Sequence, residues 1–487
     1  MIKKGAAEMS NHEAWLTEAR GLVGAENVIT EPSALVPYSR DESALEELAR
    51  APLAVVRPAS TEEVASITAL CGKYRIPLTV RGGGTGLSGA CVAAEGGIVL
   101  SMERLNRRVD SDQANSTITV EAGMPLRLLY EAVEAMGLFF PPHPGDEGAH
   151  VGGLVSANAG GSRAVKYGTI KRFVIGLQVV LSDGSIVELG GKTVKSSTGY
   201  HLLELMIGSE GTLGVITRVT LSLVPKPGCL KTLIAPFDNV RQAIQAVPSL
   251  LHAGIIPAAV EFIPHSVIRC SERLLKKQWP AAVGSASLMV ILDGAVEEEV
   301  LSQAQRFMSA VEEKGALDVL VAETSEQQAD ILELRSMIYE AIKPASVEVL
   351  DVCVPRSEIA AHVEFVSSLE KRLKVPIPTY GHAADGNVHS HTMRRRLADG
   401  VLGEEIHGWE ALHRQVKDEI YTDAIKRGGL ISGEHGIGVS KREFVERNLG
   451  GPAVAMMRAI KDALDPVGIL NPGKILPARP GRQAGPP

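Results

Sequence analysis

The sequence predicts an α+β protein of two large domains, the second built around an antiparallel sheet. Three observations carry this expectation. The chain has 487 residues, more than one hydrophobic core usually serves. From residue 53 the pattern runs strand, helix, strand and glycine loop, with short apolar strands close behind. Beyond residue 230, strands such as "SLMVILDG" and "VEVLDVCVP" are separated by long polar helices, which is the slower alternation of an α+β domain.

Taken in order, residues 1–50 carry helical patterning and form a leading segment. "LAVVRP", "TEEVASITALCGKYR" and "IPLTVRGGGTG" then read as strand, helix and strand-to-loop, with Ser60 or Thr61 as N-cap and Glu63 in the first turn. Strands follow at "GGIVLSM" and "STITVEAG", a helix at "MPLRLLYEAVEAMG", and a long glycine-rich loop over "HPGDEGAHVGGLVSANAGG". "VIGLQVVLSDGSIVELG" has the form of a hairpin around an Asp-Gly turn. One more strand lies in "SEGTLGVITRVTLSLVPKP", whose prolines 225 and 227 set the first large domain at 51–227. The second domain, 228–430, contains helices over 297–314, 325–343 and 404–427. Residues 431–476 hold a further helix and return to the first domain, and the Pro/Gly-rich run 477–487 is expected to be disordered.

The totals exclude several classes of function. A net charge of −7 and the lack of any Lys/Arg-rich block argue against nucleic acid. Cys71, Cys91, Cys229, Cys270 and Cys353 include no C-x-x-C pair, so a Cys-ligated zinc or iron–sulfur cluster is not expected. The odd count reads as reduced thiols and a cytoplasmic location. A peripheral position at the inner membrane stays open, because no run reaches the ~20 apolar residues of a membrane span. "MIKKGAAEMSNHEAWL" also lacks the apolar core of a signal peptide.

Gly84, Gly86 and Gly89 satisfy G-x-G-x-x-G after an apolar strand, with Glu103 downstream as a dinucleotide fingerprint would have it. The context refuses that fold. Only "ACVAAEGG" separates Gly89 from the next strand, too little for a crossover helix. What remains is a nest of backbone N–H groups beside Arg81, suited to a pyrophosphate.

"PLTVRGGGTGLSG", "PPHPGDEGAHVGGLVSANAGGSRAVKYG" and "GSEGTLGVITRVTL", in that order, resemble the flavin-binding domain of the vanillyl-alcohol-oxidase/p-cresol-methylhydroxylase superfamily. With "YGHAADGNVH", "SGEHGIGVSKR" and "LDPVGILNPGKIL", the likeness extends from about residue 50 to 476. It points to the FAD-linked D-2-hydroxy-acid dehydrogenases: D-lactate dehydrogenase, the flavin subunit of glycolate oxidase and D-2-hydroxyglutarate dehydrogenase. The resemblance implies a two-part flavin domain plus an α+β substrate (cap) domain. It places Arg81, Gly82, Gly83, Gly84, Thr85, Gly86 and Leu87 around the FAD pyrophosphate. Pro144, Gly145, Asp146, Gly152, Gly153, Ala157, Asn158, Ser162 and Tyr167 would line a second flavin segment. Glu210, Gly211, Gly214 and Ile216 would approach the cofactor along the closing strand. Superfamily members that hold FAD covalently use a histidine in the first loop. Thr85 stands there, so the FAD is expected to be dissociable, with His143 the one nearby reservation.

"YGHAADGNVHSHTM" is the remaining cluster. A two-residue turn at Asp385-Gly386 would set His382 opposite His389, a clamp for a divalent metal such as zinc, with Glu434 of "SGEHGIG" as third ligand. A lone strand histidine is usually an ordinary satisfied polar group, and His391, His201, His265 and His407 are read so. In the resembling family the first three positions hold a metal facing the flavin, and the histidine after the glutamate, here His435, is the proton acceptor. The resemblance also makes Asn387 and Arg335 substrate contacts, Arg335 for the carboxylate. Where dicarboxylate readers carry a lysine, Leu350 is taken to stand, which favours D-lactate over D-2-hydroxyglutarate. The expected activity is oxidation of a D-2-hydroxy acid, with glycolate or D-2-hydroxyglutarate as alternatives to D-lactate. A metal-dependent hydrolase and a non-catalytic flavin subunit are the competing classes. The partners implied are a small 2-hydroxy acid and an electron acceptor of open identity: quinone, cytochrome, electron-transferring flavoprotein or iron–sulfur subunit. A homodimer is compatible with the resemblance.

Overall fold

The computed structural model describes residues 2–477, with side chains from residue 11 onward; residues 478–487 of the run expected to be disordered lie outside the described residues. The first domain is assembled on two sheets that share one core. In one, Ala54–Val56, Ile98–Ser101 and Leu78–Arg81 lie parallel, with Val28–Ile29 antiparallel at the edge. The crossover is the helix Thr61–Tyr74: Ser60 accepts from the Glu63 amide at its start, and Val64, Ile67, Leu70 and Cys71 form its buried face. The other sheet is antiparallel, in the order Arg108–Asp112, Thr117–Glu121, Val215–Ser222, Val174–Val180, Ile186–Gly190. Leu177, Val179 and Val219 alternate inward to the same core.

The second domain carries a seven-stranded sheet whose pairs are all antiparallel: Leu320–Val321, Cys229–Phe237, Ala286–Gly294, Ala259–Pro264, Thr379–His382, Asn387–Met393, Ser346–Cys353. Helices Val240–His252, Glu297–Glu312, Ile359–Leu373 and Trp409–Lys426 bury their apolar stripes on one face. Helices His265–Leu275, Ser325–Ser336 and Ile338–Ile342 flank the other. Three expectations are corrected. The glycine-rich stretch contains a helix, Val151–Ala157, whose Val151, Leu154 and Val155 are buried at helical spacing between glycines that masked it. The helix expected over 325–343 breaks at Met337, and the one expected from 404 starts at Trp409, behind a hairpin of Arg395–Ala398 with Val401–Glu405.

The domains are latched in three places. Lys166 and Tyr167 both bond the carboxylate of Asp293. Glu42 accepts from Lys343 through its side chain and from the Tyr339 hydroxyl through its carbonyl. Near the C-terminus, the Leu78 amide donates to Ile469 and the Asn471 amide to Leu78, extending the parallel sheet. Among the described residues no helix is long and apolar enough to cross a membrane.

Candidate active site

His382 ends the strand Thr379–His382 and His389 stands in Asn387–Met393, but not in the expected register. Tyr380 lies opposite His389, and His382 lies opposite Glu261. The Asp-Gly pair does not form a two-residue turn, because the Asp385 carboxylate accepts the Asn387 amide at 3.1 Å and residues 383–386 make a longer loop. The histidines are diagonal neighbours on one face, their rings 5.3 Å apart and 88° inclined.

Glu434 comes to this pair from the loop after Trp409–Lys426. Its Oε1 is 3.4 Å from His382 Nε2 and 3.4 Å from His389 Nε2. With metal–ligand bonds of about 2.0–2.1 Å, neighbouring ligands of a tetrahedral ion stand about 3.4 Å apart, so Glu434 is at ligand spacing from each histidine. A different grouping, Asp351, His389, Glu434 and His435, which leaves out His382, has its ligand atoms within 4.8 Å of one another. Asp351 is the weaker candidate, since its oxygens are already taken. Oδ2 accepts the amides of Gly433, Glu434 and His435 at 3.0 Å and the Ser432 hydroxyl at 3.0 Å, while Oδ1 accepts Asn387 Nδ2 at 2.6 Å.

The electrostatics follow the geometry. Burial alone would raise Glu434, but hydrogen bonds from His382 and His389 hold it well below the usual carboxylate range. Burial pushes His435 down to about 4, outweighing Asp351, so its imidazole is neutral at neutral pH. His435 stacks on His389 with ring centroids 5.2 Å apart, its Nδ1 3.9 Å from Asp351 and its Nε2 4.0 Å from Glu434. The Nδ1 atoms of His389 and His435 are buried without a hydrogen-bond partner.

Arg335, on Ser325–Ser336, reaches the same face. Its Nε and Nη2 bond Glu261, and its guanidinium lies 5.1 Å from the Tyr380 ring centre. Nη1 makes no hydrogen bond among the described residues. Asn387 is less available than expected, because its Nδ2 donates to both Asp351 and the Val352 carbonyl. Leu350 does not reach the site at all. Strand Ser346–Cys353 turns Val349 and Asp351 toward His391 and His389, and buries Leu350 on the opposite face with Val388, Val416 and Tyr421. The argument that Leu350 selects against a second carboxylate therefore fails on strand alternation. His391 bonds Ser346 and the Tyr380 hydroxyl, and His265 bonds Ser287; His201 and His407 are exposed.

Of the residues expected to line the flavin, several lie where the two domains meet. The amides of Gly83 to Leu87 donate to nothing among the described residues, leaving an unsatisfied ring of donors that fits a diphosphate. Arg81 turns aside to the carbonyls of Pro37 and Arg40, and the Nδ1 of neighbouring His150 is buried without a partner. Gly145, Asp146 and Gly153 are exposed, Pro144, Ala157, Asn158 and Ser162 half-buried, Gly152 and Gly214 packed on Ala122 and Val179. Asn158 accepts from Thr169, and Tyr167 is spent on the latch to Asp293. Glu210 grips the Ile437 and Gly438 amides, with Gly211 beside Val80 and Ile216 buried in the core. His143 lines a cavity of about 210 Å³ with Tyr130, Phe139 and Arg163. The two halves touch at Gly160, where a Cβ would sit 2.7 Å from Glu434 Oε2.

The sequence reading missed Glu261, Asp351 and Lys441, all nearly or fully buried, with Lys441 donating to Ser432 and 3.5 Å from Asp351. A signal existed for two of them: a carboxylate inside an otherwise apolar strand, Glu261 in "AAVEFIP" and Asp351 beside Glu348 in "VEVLDVCVP", has to find a buried partner.

Comparison with known proteins places this geometry in context. A family model for an FAD binding domain matches residues 52–190, and one for FAD linked oxidases, C-terminal domain, matches 226–475. The chain is 38% identical over 445 residues to a D-lactate dehydrogenase of Anaerostipes hadrus, covering 90% of this chain and 92% of that one. It is 40% identical over 423 residues to a D-lactate dehydrogenase of Archaeoglobus fulgidus (87% and 91% covered), and 36% identical over 459 residues to glycolate oxidase subunit GlcD of Bacillus subtilis (93% and 94%). Among solved structures, p-cresol methylhydroxylase with substrate bound superposes with a TM-score of 0.77 at 18% identity, covering 96% of this chain and 97% of that one, a likeness of fold.

Proposed function

The chain belongs to the FAD-linked oxidases, and from that premise we propose that this FAD-dependent oxidoreductase oxidises a D-2-hydroxy acid, D-lactate to pyruvate, on a centre formed by His382, His389, Glu434 and His435. The observation that carries the proposal is Glu434, whose Oε1 stands 3.4 Å from both His382 Nε2 and His389 Nε2 and 4.0 Å from His435 Nε2, and whose Oε2 lies 2.7 Å from where a Cβ on Gly160 would sit.

FAD, when bound, supplies the acceptor for the Cα hydrogen as a hydride. A divalent ion held by His382, His389 and Glu434 would supply Lewis acidity toward the substrate hydroxyl. The remaining work belongs to side chains. Arg335 presents Nη1 to the substrate carboxylate, which fixes the hand of the Cα carbon over the flavin. His435 accepts the hydroxyl proton at Nε2, because Asp351 on the other side favours a proton at Nδ1. Glu434, spent as a ligand, leaves the base role to its neighbour. Asn387 serves this centre by holding Asp351, and through its remaining Oδ1 can meet the substrate.

Thr85 in the first loop supports a dissociable cofactor. The relatives' names include both D-lactate dehydrogenase and a glycolate oxidase subunit, so the deciding experiment is anaerobic flavin bleaching against D-lactate, L-lactate, glycolate and D-2-hydroxyglutarate. D-Lactate should bleach the flavin fastest. Equal rates for the two hands of lactate would remove the assignment.

A further inference from the structure

Glu261 stands in the middle of Ala259–Pro264, fully buried, between the apolar side chains of Val260 and Phe262. Nothing in the sheet requires a carboxylate there, and burying one carries a desolvation cost that an apolar residue would avoid. Its two oxygens are divided. Oε1 lies 2.6 Å from His382 Nδ1, and Oε2 takes both Nε, at 2.9 Å, and Nη2 of Arg335. These partners come from separate elements, a neighbouring strand and the helix Ser325–Ser336. One carboxylate thus joins a residue that would hold the metal to the residue that would hold the substrate.

We propose that Glu261 is the positioning residue of this centre, setting the tautomer of His382 and the aim of Arg335 together; this rests on the reading of the site given above. An imidazole that gives Nε2 to a metal keeps a single N–H. A carboxylate 2.6 Å from Nδ1 claims it, which leaves the lone pair on Nε2, the atom that faces Glu434. Without Glu261 the proton can sit on Nε2 and the ring can turn. On the other side, a guanidinium bound through Nε and Nη2 keeps one orientation and offers only Nη1. Because metal and carboxylate sites are set by the same group, a substrate bridging both meets two contacts whose spacing does not drift independently.

The test uses the FAD-loaded protein and zinc alone, by competition with a chromogenic chelator, before any substrate is added. Glu261→Gln should weaken zinc binding by roughly 10- to 100-fold. Glu261→Asp, which keeps the charge on a shorter arm, should fall between it and the parent, and the flavin spectrum reports that each variant is folded. In turnover with D-lactate, added zinc should restore kcat in Glu261→Gln while KM stays high, because saturating the metal does not re-aim Arg335. A defect of packing alone would not split in that way. Parent-like zinc affinity and KM in Glu261→Gln would overturn the proposal while leaving the metal reading intact. Zinc binding equally well to the parent and to His382→Ala would bring down the metal reading and this inference with it.

Discussion

Replacing Asp351 by Asn should loosen the loop that carries both Glu434 and His435, and the size of the effect can be worked from its bonds. Oδ2 accepts three consecutive amides, Gly433, Glu434 and His435, each at 3.0 Å, and the Ser432 hydroxyl; Lys441 Nζ stands 3.5 Å away. An asparagine can keep one oxygen toward these donors, but its amide then faces the Asn387 amide that Oδ1 accepts at 2.6 Å. Hydrogen bonds to a charged acceptor contribute about 1.5–3 kcal/mol and neutral ones about 0.5–1.5 kcal/mol, so each amide loses roughly 1 kcal/mol. The three share one acceptor and do not add independently, and Lys441 loses its buried counter-charge, which gives about 2–4 kcal/mol in local opening. By the usual conversion this is a roughly 30- to 1,000-fold faster amide exchange. The assay is hydrogen–deuterium exchange of the FAD-loaded protein, followed on peptides covering 430–441, with the strand Ala286–Gly294 as internal control. Faster exchange confined to the loop, with slower flavin reduction, is the expected result. Unchanged exchange at 433–435 would show that the carboxylate does not hold the loop.

Acid precipitation should leave FAD in the supernatant, measured by its absorbance; flavin in the pellet would show a covalent link. Gly160→Ala places a Cβ 2.7 Å from Glu434 Oε2 and 3.3 Å from its Cβ, and should lower zinc affinity at least about tenfold while the flavin spectrum persists. Leu350→Lys buries an unpaired charge among apolar side chains and should lower the urea midpoint by an amount worth several kcal/mol. Val349→Lys, on the site face, should instead raise the rate with D-2-hydroxyglutarate relative to D-lactate. Glu348 is buried, and burial would raise it, but Lys417 and His413 hold it down to about 2. A depressed carboxylate stabilises the fold above its unfolded pKa and loses that contribution as pH falls through its folded one. Stability should therefore drop between about pH 4.5 and 2, and Glu348→Gln should flatten that drop in urea titrations.

The elements that were legible were those whose signal is local. Ser60 caps a helix and the Asp183-Gly184 turn closes a hairpin because three or four residues decide each outcome. The slow alternation of the second domain pointed to an antiparallel sheet but not to its order: Cys229–Phe237 and Ala259–Pro264, joined by one helix, are separated by Ala286–Gly294. Val151–Ala157 was missed because its turn of helix is amphipathic only when the flanking glycines are discounted.

The site divides along a different line. His382, His389 and Glu434 were found together, yet through a register that does not form: pairing each strand correctly requires knowing that Asp385 caps its own loop. The proximity survived because a shift of two residues along a strand keeps a side chain on the same face, whereas a shift of one reverses it. The same rule explains why the Leu350 argument failed. Position 350 is one residue from Asp351, and a single step along the strand moves a side chain from the face of His389 to the opposite core. Glu261 was beyond reach for a further reason: its partners lie 74 and 121 residues away, on a helix and a strand that meet only when the sheet is complete. A lone carboxylate in an apolar strand announces that a buried partner exists, and only the assembled sheet says that there are two.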